Sequence, residues 1–238
     1  MDAKTAIRTA AGSHGVIRQV YWVACGGSLV DLYPCHCMVQ AESERTESGL
    51  YTSREFLLVP PKKLSPSSMV VLMSHSGRTK ETLDAAEYAL AKGAAVVMLT
   101  NQPDSPSNDS RWISWIYPWG GQISAADMPS GCVLELAAEL LHTQEGFAGY
   151  DALMEGIAKM DEILPKAVEK VRRELCGPFA GACREHPFLY ILGSGCTFAQ
   201  TYGFAICSLM EMQWQHCAYI HSGEYFHGPF EVTEDGVF

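Results

Sequence analysis

At 238 residues, 47% of them hydrophobic and only 18% charged, the chain can bury a substantial core and is too apolar to be a disordered segment. Its 17 basic residues against 27 acidic ones leave a net charge of −10, which argues against nucleic acid and anionic membranes as partners. A small anionic ligand stays open, because such a site is local and built mainly from neutral donors.

The start, Met1-Asp2-Ala3-Lys4, carries no apolar secretory segment, and no run approaches the ~18 apolar residues of a membrane span. The nine cysteines are an odd number without repeating spacing, and most lie in apolar stretches. The expectation is a cytoplasmic protein with reduced thiols. Cys35-His36-Cys37 lacks a second ligand pair at zinc spacing, so no metal is assigned there.

The first half alternates strand-like and helix-like segments. Gln19 to Ala24 is an apolar run ending in Cys25-Gly26-Gly27-Ser28, and a helical stretch follows. Met69 to Met73 predicts a strand, Ser74 to Thr79 a hydroxyl-rich turn, and Glu81 to Lys92 a helix closed by Gly93. Val96 to Thr100 reads as a strand leading into the loop Asn101 to Pro106. Trp112 to Tyr117 predicts a further strand and Val133 to His142 a helix. Buried strands alternating with helices indicate an α/β fold with an open parallel sheet, whose ligands sit at the carboxyl ends of the strands.

Tyr150 to Leu175 has the longest helical pattern, and Pro165 predicts a kink or two helices in series. Phe188 to Leu192 then repeats the strand plan, followed by the turn Gly193-Ser194-Gly195 and a helix from about Ala199. The parallel with Cys25-Gly26-Gly27-Ser28 suggests two related units. The second holds a single strand, one helix and a loop before Phe238, and so reads as truncated or completed by a partner. The expected organisation is a first unit over 1–147, a helical connection over 148–182 and an incomplete second unit over 183–238.

Two segments carry chemistry. Ser74, Ser76 and Thr79 stand where a strand gives way to a helix, so backbone N–H groups, the helix dipole and the hydroxyls can cradle an anion. The segment lacks the glycine patterns of nucleotide loops, which leaves a sugar phosphate as the simplest ligand. A capped helix start with solvated serines explains the same residues. The helix from Gln200 to Trp214 is apolar almost all round, which predicts burial and a raised pKa for Glu211, as suits a proton carrier; a thin polar stripe beside Gln213 is the plainer alternative. Beyond it His216, His221, Glu224, His227 and Glu231 crowd one aromatic segment. Gly223 and Gly228-Pro229 limit any helix there, which counts against a metal and favours acid–base work by His227.

With these residues in view the chain resembles the sugar isomerase (SIS) family over nearly its whole length. Ala24-Cys25-Gly26-Gly27-Ser28, Ser74-His75-Ser76-Gly77-Arg78-Thr79 and Leu192-Gly193-Ser194-Gly195 look like its three substrate-loop signatures. Glu211 with the later His227-Gly228-Pro229 is similar to the isomerase half of glucosamine-6-phosphate synthase, and Ser208 through Glu231 looks like the fructosamine-6-phosphate deglycases. The resemblance implies a three-layer α/β/α fold of two SIS-type units. It also implies substrate contacts from Gly26, Gly27, Ser28, Ser74, Ser76, Thr79, Thr82, Gly193 and Ser194.

Glu211 then matches the proton-shuttling base, His227 the ring opener and Glu224 a further active-site carboxylate. The implied reaction splits a 6-phosphorylated sugar–amine adduct, such as fructoselysine 6-phosphate, with water and without a cofactor. Homo-oligomers are common in that family, and a homodimer or higher homo-oligomer is expected by resemblance. An aldose–ketose isomerase or deaminase of amino-sugar phosphates needs the same base and ring opener. A sugar-phosphate sensor needs only the phosphate loop. Tyr219, Tyr225 and Phe226 are candidates for the amine side of the pocket. Neither the synthase's glutamine-hydrolysing domain nor its C-terminal lysine tail has a counterpart in these residues.

Overall fold

The computed structural model describes residues 1–234. The chain divides into two compact units, Met1–Ala158 and a second from Lys159 onward.

The first unit is a five-stranded, all-parallel sheet: β1 (Gln19–Ala24), β2 (Glu47–Thr52), β3 (Ser68–Met73), β4 (Ala95–Thr100) and β5 (Ile113–Ile116). The strand order is β2-β1-β3-β4-β5. β3 and β4 are buried along their whole length, as parallel strands covered on both faces must be, which is why they read as unbroken apolar runs. β2, at the edge, is the Glu-Ser-Gly-Leu-Tyr-Thr stretch that gives no such signal.

Helices lie on both faces. α1 (Ala3–His14) and α2 (Gly27–Glu42) both pack on α5 (Pro129–Glu145), while α3 (Ser53–Leu58) packs on α4 (Lys80–Ala91). α1 begins where the Asp2 carboxylate accepts the Thr5 N–H at 2.8 Å, and Ala3, Ala6, Ile7 and Ala10 form its buried stripe. On one face of the sheet Tyr21, Val23, Val70, Leu72, Val96 and Met98 pack with Phe56 of α3 and with Ala85, Ala86 and Ala89 of α4. The sequence predicts neither α1 nor β2 nor α3; the remaining elements of this unit fall within a few residues of their predicted places.

Because β1 leads outward to β2 on one side while β3 lies on the other, the chain reverses direction between β1 and β3. In an open parallel sheet that reversal leaves a crevice at the carboxyl ends of the two strands. The loops that follow β1 and β3 are Cys25–Ser28 and Ser74–Thr79.

The unit boundary falls within α6 (Tyr150–Glu174), which runs through Pro165 as one helix rather than two in series. Pro165 is exposed, so the carbonyl it leaves unpaired is open to water. The second unit adds α7 (Cys176–Glu185), β6 (Leu189–Gly193), α8 (Phe198–Gly203), a π-helical stretch (Phe204–Met212) and β7 (Cys217–His221). β7 pairs in parallel with β6, so the expectation of a single strand is corrected: the Cys- and His-bearing segment after Gln215 is a strand, in register Leu189 with Cys217 through Gly193 with His221. A small core of Leu189, Ala205, Leu209 and Cys217 joins this pair to the π-helical stretch, with Phe179 and Cys183 of α7 against it.

Among the described residues no helix is long and apolar enough to cross a membrane, and all nine cysteines are free thiols.

Candidate functional site

A cleft of about 500 Å³ opens at the reversal point of the first unit, lined by residues of both loops together with α2, the end of β5 and the start of α5. Two helix N-termini supply its anion-binding character. α2 starts after Gly26, whose φ of 56° suits glycine, and no side chain caps it. α4 starts after Thr79, again without a side-chain cap. The first amides of both helices therefore keep their N–H groups available, and both dipoles present their positive ends.

Ser28, Ser76 and Thr79 line the cleft, as does Gly27. Ser74 does not. It is buried, with its hydroxyl 2.9 Å from Thr79 Oγ1, and so it orients the Thr79 hydroxyl from behind. Thr82 lies deeper still, fully buried with its hydroxyl 2.9 Å from Ser53 Oγ between α3 and α4. It is not among the lining residues, and its hydroxyl holds helix to helix.

The loop's shape depends on Gly77. Its φ is 65°, and a Cβ there would fall 1.9 Å from Ser105 Oγ. Ser107 closes the same contact by donating its hydroxyl to the Gly77 carbonyl at 3.1 Å, with its backbone N–H on that carbonyl at 3.3 Å. The Asn101–Pro106 loop, recognisable in the sequence only as a loop, thus leads into a brace for the hydroxyl turn.

The rest of the lining is chemically different. Asp31 of α2 is half-buried, with Ser130 Oγ donating to its Oδ1 at 2.6 Å. Burial pushes the Asp31 carboxyl above its ordinary pKa, while the Ser130 hydrogen bond and nearby His75 pull it back. His75 Nδ1 stands 3.0 Å from the Tyr117 hydroxyl, and the Trp119 ring meets the His75 ring edge-on at 4.8 Å. Burial, reinforced by the Asp31 charge, pushes the Tyr117 phenol well above its ordinary pKa, so it stays protonated. Asp31, His75, Tyr117 and Trp119 all line the cleft, and sequence reasoning assigned a role to none of them. One signal was available: Asp31 follows Ser28 by three positions and shares its helix face.

Cys35-His36-Cys37 lies within α2, where Cys35 is buried and His36 Nδ1 is 2.9 Å from Ser48 Oγ.

Glu211, Glu224, His227, Gly193 and Ser194 all belong to the second unit. Gly193 ends β6, where a Cβ would come 1.9 Å from Thr201 Oγ1. The Ser194 carbonyl accepts the Thr197 hydroxyl at 2.7 Å. Glu211 is exposed in the π-helical stretch, which corrects the expectation of a buried carboxylate. That stretch is apolar all round, yet only Ala205 and Leu209 are buried; Phe204, Met210 and Met212 stay exposed. The Glu211 charge is felt by Cys207, whose thiol is pushed up first by burial and then by that carboxylate. Glu224 and His227 are exposed on consecutive turns, with the His227 N–H on the Glu224 carbonyl at 3.0 Å. Tyr225, Phe226 and Phe230 pack on one another beside them, and Tyr219 meets Phe198 and Tyr202.

A family model described as the SIS domain matches residues 55–113. The fructosamine deglycase FrlB of Bacillus subtilis (strain 168) is 36% identical over 222 residues, a match covering 93% of this chain and 67% of that protein. A fructoselysine 6-phosphate deglycase of Escherichia coli O157:H7 is 28% identical, over 93% of this chain and 64% of its own length. A crystal structure of a Bacillus subtilis protein, provisionally described as a phosphosugar isomerase, superposes with a TM-score of 0.92 and 33% identity, over 99% of this chain and 71% of that one. The chain thus spans about two thirds of the length of these relatives.

Proposed function

The chain belongs to the SIS-domain family, and we propose that it is a sugar-phosphate deglycase, releasing an amine from a 6-phosphorylated sugar–amine adduct such as fructoselysine 6-phosphate. The observation that carries this reading is the cleft at the β1/β3 reversal, where Ser28, Ser76 and Thr79 meet two uncapped helix N-termini. That combination suits the 6-phosphate. The similarity to the fructosamine deglycase supports the choice of reaction.

In this reading His227 assists opening of the sugar ring. Glu211 removes a proton from C1 of the open ketosamine, giving an enolamine, and returns it at C2. The product is an imine at C1, and water adds to it and breaks the C1–N bond. Glucose 6-phosphate and the free amine leave, with no net redox change. Glu224 would stand as a second carboxylate near the ring opener, and the protein would work as a homo-oligomer.

The test is a coupled assay for glucose 6-phosphate release from fructoselysine 6-phosphate, with the free amine measured in parallel. Stoichiometric release of both that vanishes in Glu211→Gln supports the deglycase. Interconversion of ketose and aldose phosphates without amine release would replace it by the isomerase, a reading favoured by the superposition with the Bacillus subtilis structure.

A further inference from the structure

The cleft lining is of two unlike kinds. One is made of hydroxyls and helix amides, groups able to donate to an anion. The other is the carboxylate of Asp31, one helical turn beyond Ser28, and no lysine or arginine is among the lining residues. A site for a plain dianion gains nothing from a carboxylate in its wall, since like charges at close range repel. The carboxylate is also costly in itself, being half-buried on a helix whose neighbouring positions Leu29, Val30 and Leu32 are core.

Ser130 donates to Oδ1, and no protein donor meets Oδ2 among the described residues. Two aromatic rings line the same cleft. Trp119 is 58% exposed, an uncommon position for a large indole, and Tyr117 brings its hydroxyl toward His75. An anionic oxygen without a full-charge partner, in one cleft with an open indole, is the chemistry that receives an ammonium group: a charge-assisted hydrogen bond to the carboxylate and a cation–π contact to the ring.

We propose that Asp31, with Trp119, is the amine-recognising element of this cleft, so that it selects zwitterionic ligands carrying a phosphate at one end and a protonated amine toward the other. This deepens, and rests on, the sugar-phosphate reading given above. It moves amine recognition to the first unit, away from Tyr219, Tyr225 and Phe226, which the sequence suggests. It also accounts for the position of the carboxylate: burial that is unfavourable in the empty cleft is offset when the ammonium arrives. A neutral sugar hydroxyl at the same place would offset much less.

The test uses two compounds that the proposed reaction cannot turn over, because neither has a carbonyl: 1-amino-1-deoxyglucitol 6-phosphate and glucitol 6-phosphate. They differ by an ammonium in place of a hydroxyl. Calorimetric titration of the whole chain should show the amine bound about 10- to 100-fold tighter. Asp31→Asn should abolish that preference and leave glucitol 6-phosphate affinity nearly unchanged. Trp119→Ala, at an exposed position, should reduce the preference several-fold and keeps the test open if the Asp31 variant fails to fold. Equal wild-type affinity for the two compounds, or a preference that survives both substitutions, would overturn the assignment while leaving the phosphate site intact. So would an Asp31→Asn variant that folds and loses both compounds alike, because Asp31 would then serve the sugar or the loop. A wild-type protein that binds neither compound overturns the assignment together with the reading beneath it.

Discussion

Ser105 Oγ occupies the space that a side chain on Gly77 would need, 1.9 Å from the position of its Cβ. The hydroxyl turn after β3 is therefore moulded against the loop that follows β4, and the two strands' loops behave as one piece. Gly77→Ala faces both this overlap and a φ of 65° that costs an L-residue about 1–2 kcal/mol. The expected result is loss of hexose 6-phosphate binding together with a lower Tm. Adding Ser105→Gly should recover part of the Tm, since it removes the closest overlap but neither the 2.8 Å approach to Thr100 Oγ1 nor the backbone strain. Full recovery would show that the φ costs little.

Ser76 lines the cleft with its hydroxyl accepting the Arg78 N–H at 3.3 Å, whereas Ser74 is buried against Thr79. The two serines should therefore fail differently. Ser76→Ala removes one donor to a charged ligand, worth about 1.5–3 kcal/mol, and should weaken phosphate-ester affinity roughly 10- to 100-fold without changing Tm. Ser74→Ala should lower Tm as well, because Thr79 loses its buried partner. Titration and thermal unfolding of both variants would reveal whether the distinction holds.

Glu211→Gln preserves shape and removes the base. Turnover of fructoselysine 6-phosphate should fall by at least about 100-fold, the usual contribution of a positioned general base, while affinity for glucitol 6-phosphate stays within about two-fold. An unchanged kcat with a raised KM would mean that Glu211 binds substrate rather than moving protons.

The raised pKa of Asp31 carries a stability consequence. A carboxyl whose folded pKa lies above its unfolded value makes the fold most stable when protonated, and that contribution is lost as pH rises through the folded pKa. At neutral pH the ionised Asp31 is a net cost, so Asp31→Asn should raise Tm there, each kcal/mol recovered appearing as about 2–4 °C. The gain over wild type should shrink as pH is lowered through the Asp31 titration. A variant less stable than wild type at pH 7 would mean that the Ser130 hydrogen bond outweighs the desolvation.

The central strands were legible because burial on both faces forces continuous apolar runs, as in β1, β3 and β4. Edge strands escape that rule. β2 carries Glu47, Ser48 and Thr52, and β7 carries His221, so neither announces itself. The hydroxyl turn was readable because strand, turn and helix follow one another directly in the chain. The Asp31 wall was not, because it assembles α2, the β3 loop, the end of β5 and the start of α5, and no local pattern links them. Glu211 misled for a related reason. An apolar helix implies burial on every side, yet within the π-helical stretch only Ala205 and Leu209 are buried against the β6–β7 pair.

A cleft without lysine or arginine in its lining attracts anions only at short range, through amides and hydroxyls whose fields fade within a few ångströms. At longer range a phosphorylated ligand meets the field of a chain with a net charge of −10. Capture should accordingly be slowed rather than steered at low ionic strength, and salt that screens the repulsion should speed association. Most phosphate sites show the reverse trend, so the sign of the salt dependence of the association rate reports directly on a site made of dipoles rather than charges.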